Sequence, residues 1–256
     1  MEKKHRIHAD GWAGDFSYGY YRELLRTLCE AFELRPLSEF PAVDPTADRV
    51  AFLRHDMDVS TQRAVEMARI ERRHGVTSTY MVFPDTTLYS IEEEAGRLHE
   101  LIDLGHEIGL HVDLPVDVGR NGDGFELDAQ ARRVIEDARA WLESIGLPPT
   151  ESISFHKPSE SLLEGPPTIE GMVNAYGRDL MRNYISDSGG RWREGPPVEW
   201  LEEATDSGTV QVLVHPIWWG ERHLPPAERI ATYSDTLEPL DRTVLEELVS
   251  ILPAVE

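Results

Sequence analysis

Short apolar runs alternate along this chain with stretches that have helical periodicity. The apolar runs, which predict strands, are VAFL (50–53), VTSTYMVF (76–83), EIGLHV (107–112), SISF (152–155) and VQVLV (210–214). Apolar residues at helical spacing predict helices over 18–32, 61–75, 91–105, 127–145 and 241–252. Because the strands are short continuous apolar runs, they indicate a parallel sheet covered by helices. The pattern is typical of an α/β fold, either a barrel or a doubly wound sheet, and leaves 157–209 unassigned.

Histidine and aspartate follow four of these apolar runs. The polar groups are Arg54, His55, Asp56 and Asp58; His111 and Asp113; His156 and Lys157; and His215. In a parallel α/β fold the carboxyl ends of all strands meet at one rim, and active sites are built there. A single histidine at a strand end is more often structural. Histidines at the ends of four strands are hard to explain as capping residues, because capping does not need an imidazole. The sequence therefore predicts a functional site at this rim.

Imidazole and carboxylate are the ligands that suit zinc and related divalent ions. Asp56 and Asp58 are two residues apart, so in an extended segment their side chains point to the same side. One of them can bind a metal while the other accepts a proton from water. This arrangement explains why ionisable groups crowd the end of a buried strand. The alternative is that they serve only in turns and caps.

Composition and charge exclude several classes of protein. The chain has 47 acidic and 25 basic residues, a formal net charge of -22, which would repel nucleic acid and anionic membrane surfaces. A single cysteine, Cys29, excludes an intrachain disulfide and a cysteine-based zinc site. No apolar segment reads as a signal peptide or a membrane span, so we expect a cytoplasmic protein without membrane insertion. The oligomeric state is not predicted.

Five motifs occur in the order found in the polysaccharide deacetylases, carbohydrate esterase family 4. They are FLRHDMDVS (52–60), GHEIGLHVD (105–113), SFHKPS (154–159), SDSGGRW (186–192) and VLVHP (212–216). The chain most resembles a divergent branch whose first motif is Arg-His-Asp-x-Asp. The resemblance implies a distorted (β/α) barrel in a single domain over 1–256. Within it we expect an N-terminal helix and linker (1–46), a motif-bearing core (47–220) and a helical closure (221–256).

The resemblance also implies a role for each motif residue. Asp56 would be the general base, His215 the general acid, and Asp187 the acidic partner of that histidine. Asp58 and His111 would bind the metal. The family usually supplies a second metal-binding histidine four residues after the first, where this chain has Pro115. We predict His156 as the third ligand instead, with Asp113 as the alternative.

The implied activity is metal-dependent hydrolysis that removes an acetyl or similar acyl group from an N-acylated or O-acylated sugar or a related small substrate. The cofactor would be a divalent ion, with zinc as the first choice and cobalt, nickel or manganese as alternatives. Arg54, Trp192, Trp218 and Trp219 are candidate substrate contacts, although Arg54 could instead orient an aspartate and the tryptophans could pack in the core. Two other functions stay open. One is a catalytically inactive carbohydrate- or partner-binding member of the same fold, and the other is a hydrolase of cyclic amides or ureides.

Overall fold

The computed structural model describes residues 15–114, 125–160, 162–163, 165–204 and 208–234. The helices are α1 (Tyr18–Ala31), α2 (Thr61–Arg73), α3 (Ile91–Asp103), α4 (Ala129–Ser144), α5 (Pro197–Glu203) and α6 (Pro226–Ser234). The strands are β1 (Glu33–Leu34), β2 (Val50–Met57), β3 (Thr79–Val82), β4 (Glu107–Val112), β5 (Ser152–Phe155), β6 (Thr168–Ile169), β7 (Met172–Asn174), β8 (Tyr184–Ser186) and β9 (Val210–Val214). Helices and strands therefore alternate through the central part of the chain, as the sequence predicts.

The strands form one sheet in the order β6-β7-β5-β4-β3-β2-β9-β8, with β1 paired to the start of β2. All pairings are parallel except that of β6 with β7. The sheet curls into a half-barrel, and its outer strands β6 and β8 do not pair with each other. The predicted α/β fold and distorted barrel are confirmed in this open form.

Successive side chains of β2 point to opposite faces of the sheet, and this alternation sorts its residues into two environments. Phe52 packs inside the curl with Phe40 and Met81. Ala51 and Leu53 pack on the outer face, in the core formed with α1. Arg54 and Asp56 share the parity of Phe52, so the inner face carries buried charge toward the carboxyl end of the strand.

Several element bounds agree closely with the sequence pattern. Strands β4, β5 and β9 occupy the predicted residues, and the predicted helix at 61–75 ends at Arg73. Strand β2 runs to Met57 instead of ending at Leu53, because its charged residues are compensated by buried partners. The unassigned segment 157–209 holds β6, β7, β8 and α5.

The helix predicted at 241–252 lies outside the described residues, and the division of the chain at 46 and 220 stays a prediction. Among the described residues, no helix is both long enough and apolar enough to cross a membrane.

Candidate metal centre

Three side chains converge at the carboxyl end of the half-barrel. Asp58 follows β2, His111 lies in β4 and His156 follows β5. Nε2 of His111 is 3.1 Å, and Nδ1 of His156 is 3.5 Å, from Oδ1 of Asp58. One ligand atom from each residue lies within 4.8 Å of the other two. The structure thus brings together the three residues that the sequence predicts as metal ligands.

This set of donor atoms fits a divalent cation. Oδ1 of Asp58 is buried and accepts no hydrogen bond of ordinary geometry from the described residues. A buried carboxylate oxygen without a donor is costly, and two imidazole nitrogens beside it make a set suited to zinc. Burial raises the pKa of Asp58, but the neighbouring imidazoles of His111, His156 and His215 outweigh it and hold that pKa well below its usual range. Asp58 is therefore a carboxylate that can bind a metal at neutral pH.

Neighbouring side chains hold both histidines in place. Nδ1 of His111 is 2.6 Å from Oγ of Ser154, the residue opposite it in the pairing of β4 with β5. This contact directs Nε2 of His111 toward Asp58. The ring of Phe83 stacks on His156 at 5.0 Å and meets His111 edge-on at 5.4 Å. After His156, Lys157 adopts φ of 45°, which is uncommon for a residue other than glycine.

Asp56 lies beside the metal ligands and is held by Arg54. The guanidinium of Arg54 donates from Nε and Nη2 to the two carboxylate oxygens of Asp56, at 2.8 and 2.6 Å. Both side chains are buried. Burial raises the pKa of Asp56. The positive charges of Arg54 and of nearby histidines lower it by more, so the pKa falls below its usual value. Oδ2 of Asp56 lies 3.9 Å from Nε2 of His111. An anionic proton acceptor therefore sits next to the three ligands.

His215 and Asp187 form a second pair close to Asp58. Oδ1 of Asp187 is 2.6 Å from Nδ1 of His215 and accepts the backbone N–H of that residue at 2.9 Å. Burial lowers the pKa of His215, but the hydrogen bond and charge of Asp187 raise it to about 9. Nε2 of His215 lies 3.8 Å from Oδ2 of Asp58. Asp187 therefore favours the imidazolium form of His215, and Nε2 of that ring faces the candidate metal site.

The motif SDSGGRW places Asp187 in this pair through a tight turn. Gly189 and Gly190 both have positive φ, 71° and 72°, and the N–H of Gly190 donates to the carbonyl of Asp187 at 2.9 Å. A Cβ on Gly190 would lie 2.4 Å from Cγ of Pro226. Two glycines are thus needed at this turn, one of them also because of close packing.

The candidate substrate contacts are buried in the structure. Arg54 has no exposed surface and is occupied by Asp56. Trp192 and Trp218 are also buried, and Trp219 packs against Tyr21 with ring centroids 5.0 Å apart. A ring that stacks on a sugar must be accessible to it. These three tryptophans are buried and pack in the core of the protein. Trp219 has a further contact, because its indole N–H donates to Oδ2 of Asp187 at 2.9 Å.

The alternative third ligand from the sequence, Asp113, falls outside the site. Asp113 is exposed and is not part of the group of three ligands. The third ligand position is taken by His156. Pro115, where the family usually has a histidine, lies outside the described residues.

His55 points away from the rim, because it lies within β2 and faces the outer side of the sheet. Its Nε2 is 2.8 Å from Oε1 of Glu71, a fully buried carboxylate on α2. Oε2 of Glu71 accepts hydrogen bonds from Ser78 at 2.5 Å and Tyr80 at 3.1 Å, and Tyr21 donates to the same carboxylate. This buried network belongs to the packing of α2 on the sheet.

Two side chains at the site were not predicted. Ser154 contacts His111, and Tyr176 contacts Arg54. Ser154 lies inside a predicted strand, where its pairing with His111 becomes visible only once the strand order is known. Tyr176 belongs to the segment that the sequence left unassigned.

Comparison with known proteins gives matches among solved structures. No family model matches the chain, and no curated protein matches it. The peptidoglycan deacetylase PdaC from Bacillus subtilis is 14% identical, with 67% of this chain and 90% of that chain covered and a TM-score of 0.37. BA3943 from Bacillus anthracis, a CE4 family pseudoenzyme, is 12% identical, with 77% and 60% covered and a TM-score of 0.36. A mutant of BA3943 with restored enzymatic activity matches at 13% identity and a TM-score of 0.37.

These matches are to deacetylase-like folds, the kind of protein that the five sequence motifs resemble. Their identities and TM-scores are low, so the function proposed below rests on the residues of this chain.

Proposed function

We propose that this protein is a metal-dependent hydrolase that removes an acyl group from an N-acylated or O-acylated sugar or a related small substrate. One observation carries the proposal: Asp56 and His215 flank the group of Asp58, His111 and His156, with Oδ2 of Asp56 3.9 Å from His111 and Nε2 of His215 3.8 Å from Asp58. A base, an acid and a metal site within one rim are the components of amide or ester hydrolysis.

A divalent ion held by Asp58, His111 and His156 would polarise the scissile carbonyl and lower the pKa of a water molecule. Asp56 takes a proton from the attacking water, and Arg54 keeps this carboxylate anionic and oriented. As the bond between the acyl carbon and the leaving nitrogen or oxygen breaks, His215 gives its Nε2 proton to the leaving atom. The products are a carboxylic acid and a free amine or alcohol.

Asp187 keeps His215 in the state that this step requires. It binds the Nδ1 side of the ring and leaves Nε2 directed at the site. The negative charge of Asp187 also favours the imidazolium, which is the form that can donate a proton. A general acid needs one ring nitrogen held by a partner and the other free to give its proton to the leaving group.

The sugar class of the substrate is supported by the resemblance of the five motifs to the polysaccharide deacetylases. On the expectation of a cytoplasmic protein, a nucleotide-linked or lipid-linked sugar precursor is a more suitable substrate than a cell-wall polymer. A binding protein of the same fold would need neither a base nor an acid at the rim, and the pairs at Asp56 and His215 therefore favour the hydrolase.

Metal content and turnover of purified variants test the proposal. Wild type should bind about one equivalent of zinc, cobalt, nickel or manganese, whereas His111→Ala and His156→Ala should lose it. His74→Ala removes a histidine whose ring bonds the carbonyl of Ile70 on α2, and serves as the matched control. Asp56→Asn should keep the metal and lose turnover of N-acetylated sugars by about a hundredfold or more.

Each result has a definite meaning. If wild type takes up no ion after reconstitution with each metal, the hydrolase mechanism is wrong. If metal binds but Asp56→Asn and wild type both fail to release acetate while they bind sugars equally, the protein is a binding module. If acetylated sugars are inert and cyclic amides are cleaved, the chemistry stands and the substrate class is wrong.

A further inference from the structure

Tyr176 contacts Arg54 in two ways, although 122 residues separate them. The phenol oxygen accepts a hydrogen bond from Nη2 of Arg54 at 3.0 Å, and the ring lies under the guanidinium, with Cζ 4.5 Å from the ring centroid. Tyr176 follows β7, where its backbone N–H donates to the side chain of Asn174 at 3.0 Å. Its ring also stacks on Phe155 at 6.3 Å. The tyrosine is therefore held rigidly from two directions.

The guanidinium of Arg54 has an orientation that needs an explanation. It binds Asp56 side-on, through Nε and Nη2, while Nη1 is buried and has no hydrogen-bond partner among the described residues. An end-on pair through Nη1 and Nη2 would leave Nε–H without a partner instead, so the cost of a buried unpaired donor does not decide between the two orientations. A contact outside the Arg54–Asp56 pair can therefore select the side-on orientation.

Tyr176 supplies that contact. Its hydroxyl oxygen accepts a hydrogen bond from the second N–H of Nη2. Its ring fixes the plane of the guanidinium through a cation–π contact. We infer that Tyr176 is a positioning residue, which holds Arg54 side-on against Asp56 and so keeps the Asp56 carboxylate aimed at the attacking water. This inference rests on the proposed role of Asp56 as general base. In this arrangement Tyr176 acts on the base through Arg54.

Two substitutions separate the hydroxyl from the ring. Tyr176→Phe keeps the ring under Arg54 and removes the hydrogen bond, whereas Tyr176→Leu removes both. We expect kcat to fall on the order of tenfold in the first and about a hundredfold in the second, because small displacements of a catalytic group have large effects on rate. KM and metal content should stay at the wild-type values. Tyr18→Phe is the matched control, since it removes a tyrosine hydroxyl that joins α1 to Glu66 on α2.

A purely structural role for Tyr176 predicts other results. The variants would then unfold more easily, while kcat per folded, metal-loaded molecule would equal that of wild type. The kcat of Tyr176→Phe would then not lie between those of wild type and Tyr176→Leu. Either result, or a loss of metal in Tyr176→Phe, overturns the inference.

A second measurement does not depend on turnover. Unfolding free energies of wild type, Tyr176→Phe, Asp56→Asn and the double variant form a cycle. If Arg54 links the two side chains, the double variant loses less stability than the sum of the single variants. Additive losses overturn the inference even if the protein proves inactive on every acylated substrate. Wild type that binds metal without turnover would instead count against the proposed function alone.

Discussion

Oδ1 of Asp187 lies 2.6 Å from Nδ1 of His215, and the other oxygen of the same carboxylate accepts the indole N–H of Trp219. Asp187 is therefore bound to the one ring nitrogen that faces away from the site. Burial raises the pKa of Asp187 above its usual value, although its hydrogen bonds with His215 and Trp219 oppose this. The carboxylate is thus in an environment where the positive charge of His215 stabilises it.

Replacing Asp187 with asparagine should remove the charge that keeps His215 protonated. The amide has nearly the shape of the carboxylate and keeps one of its two acceptor oxygens, so the folded protein should keep its metal content, while its kcat falls by about a hundredfold or more. Steady-state kinetics at pH 7 measure the effect. Asp103→Asn, an exposed substitution on α3, provides the control. Unchanged kcat in Asp187→Asn would show that His215 does not depend on its partner.

Ser154 should determine how tightly His111 binds a metal. Its hydroxyl lies 2.6 Å from Nδ1 of His111 and directs Nε2 toward Asp58. Loss of such a partner typically weakens metal affinity by about 10- to 100-fold. Titration of the metal-free protein with zinc should show this decrease for Ser154→Ala. Ser152→Ala, a buried serine on the same strand that bonds Glu107, should bind zinc as wild type does. Equal weakening in both variants would contradict the specific role of Ser154.

The sequence predicted the residues that meet at the rim better than it predicted their neighbours. Asp58, His111 and His156 could be identified because each follows or ends a strand with a clear apolar run, and parallel strands bring such ends together. The contact of Tyr176 with Arg54 could not be identified, because it joins segments far apart in the chain. Strands of two or three residues, such as β6 and β7, also give no periodicity to detect.

Side-chain direction explains the other differences. The predicted strand ended at Leu53, so His55 and Asp56 were expected at the same rim. Because β2 continues to Met57, these neighbours point to opposite faces, and His55 joins the buried network of Glu71 instead. Trp219 shows a similar ambiguity, since a tryptophan after a strand can face solvent or the core and only packing decides which.

Glu71 should be important for stability, because it is a buried charge that accepts several hydrogen bonds. Burial raises its pKa, but the charge and hydrogen bond of His55, together with other donors, lower it to about 2, compared with 4.5 for an exposed glutamate. That difference corresponds to about 3 kcal/mol of folding free energy at neutral pH. Glu71→Gln should therefore lose stability of this order in urea unfolding. Glu100→Gln, which breaks an exposed pair with Arg69, should change it by less than about 1 kcal/mol.

The same carboxylate predicts a dependence of stability on pH. Because the pKa of Glu71 is lower in the folded protein, its contribution is complete above the unfolded value of 4.5 and is lost as pH falls toward about 2. About 2 kcal/mol of that contribution should be gone at pH 3. The difference in stability between wild type and Glu71→Gln should therefore shrink between pH 6 and pH 3. A constant difference over this range would show that Glu71 does not carry the charge.

Gly109 in β4 tests how tightly the inside of the half-barrel is packed beneath the metal centre. A Cβ at this position would lie 2.3 Å from Sδ of Met81 and 2.6 Å from Oγ of Ser152. Met81 can move, but Ser152 is held by Glu107, so Gly109→Ala should destabilise the fold by about 1–3 kcal/mol. Gly96→Ala is the matched control, because Gly96 is exposed on α3 with nothing within 4 Å of an added Cβ. Alanine there should instead stabilise the helix by up to about 1 kcal/mol. Thermal or urea unfolding measures the change in stability. If that change had the same sign for both variants, β3, β4 and β5 would not be packed as closely as described here.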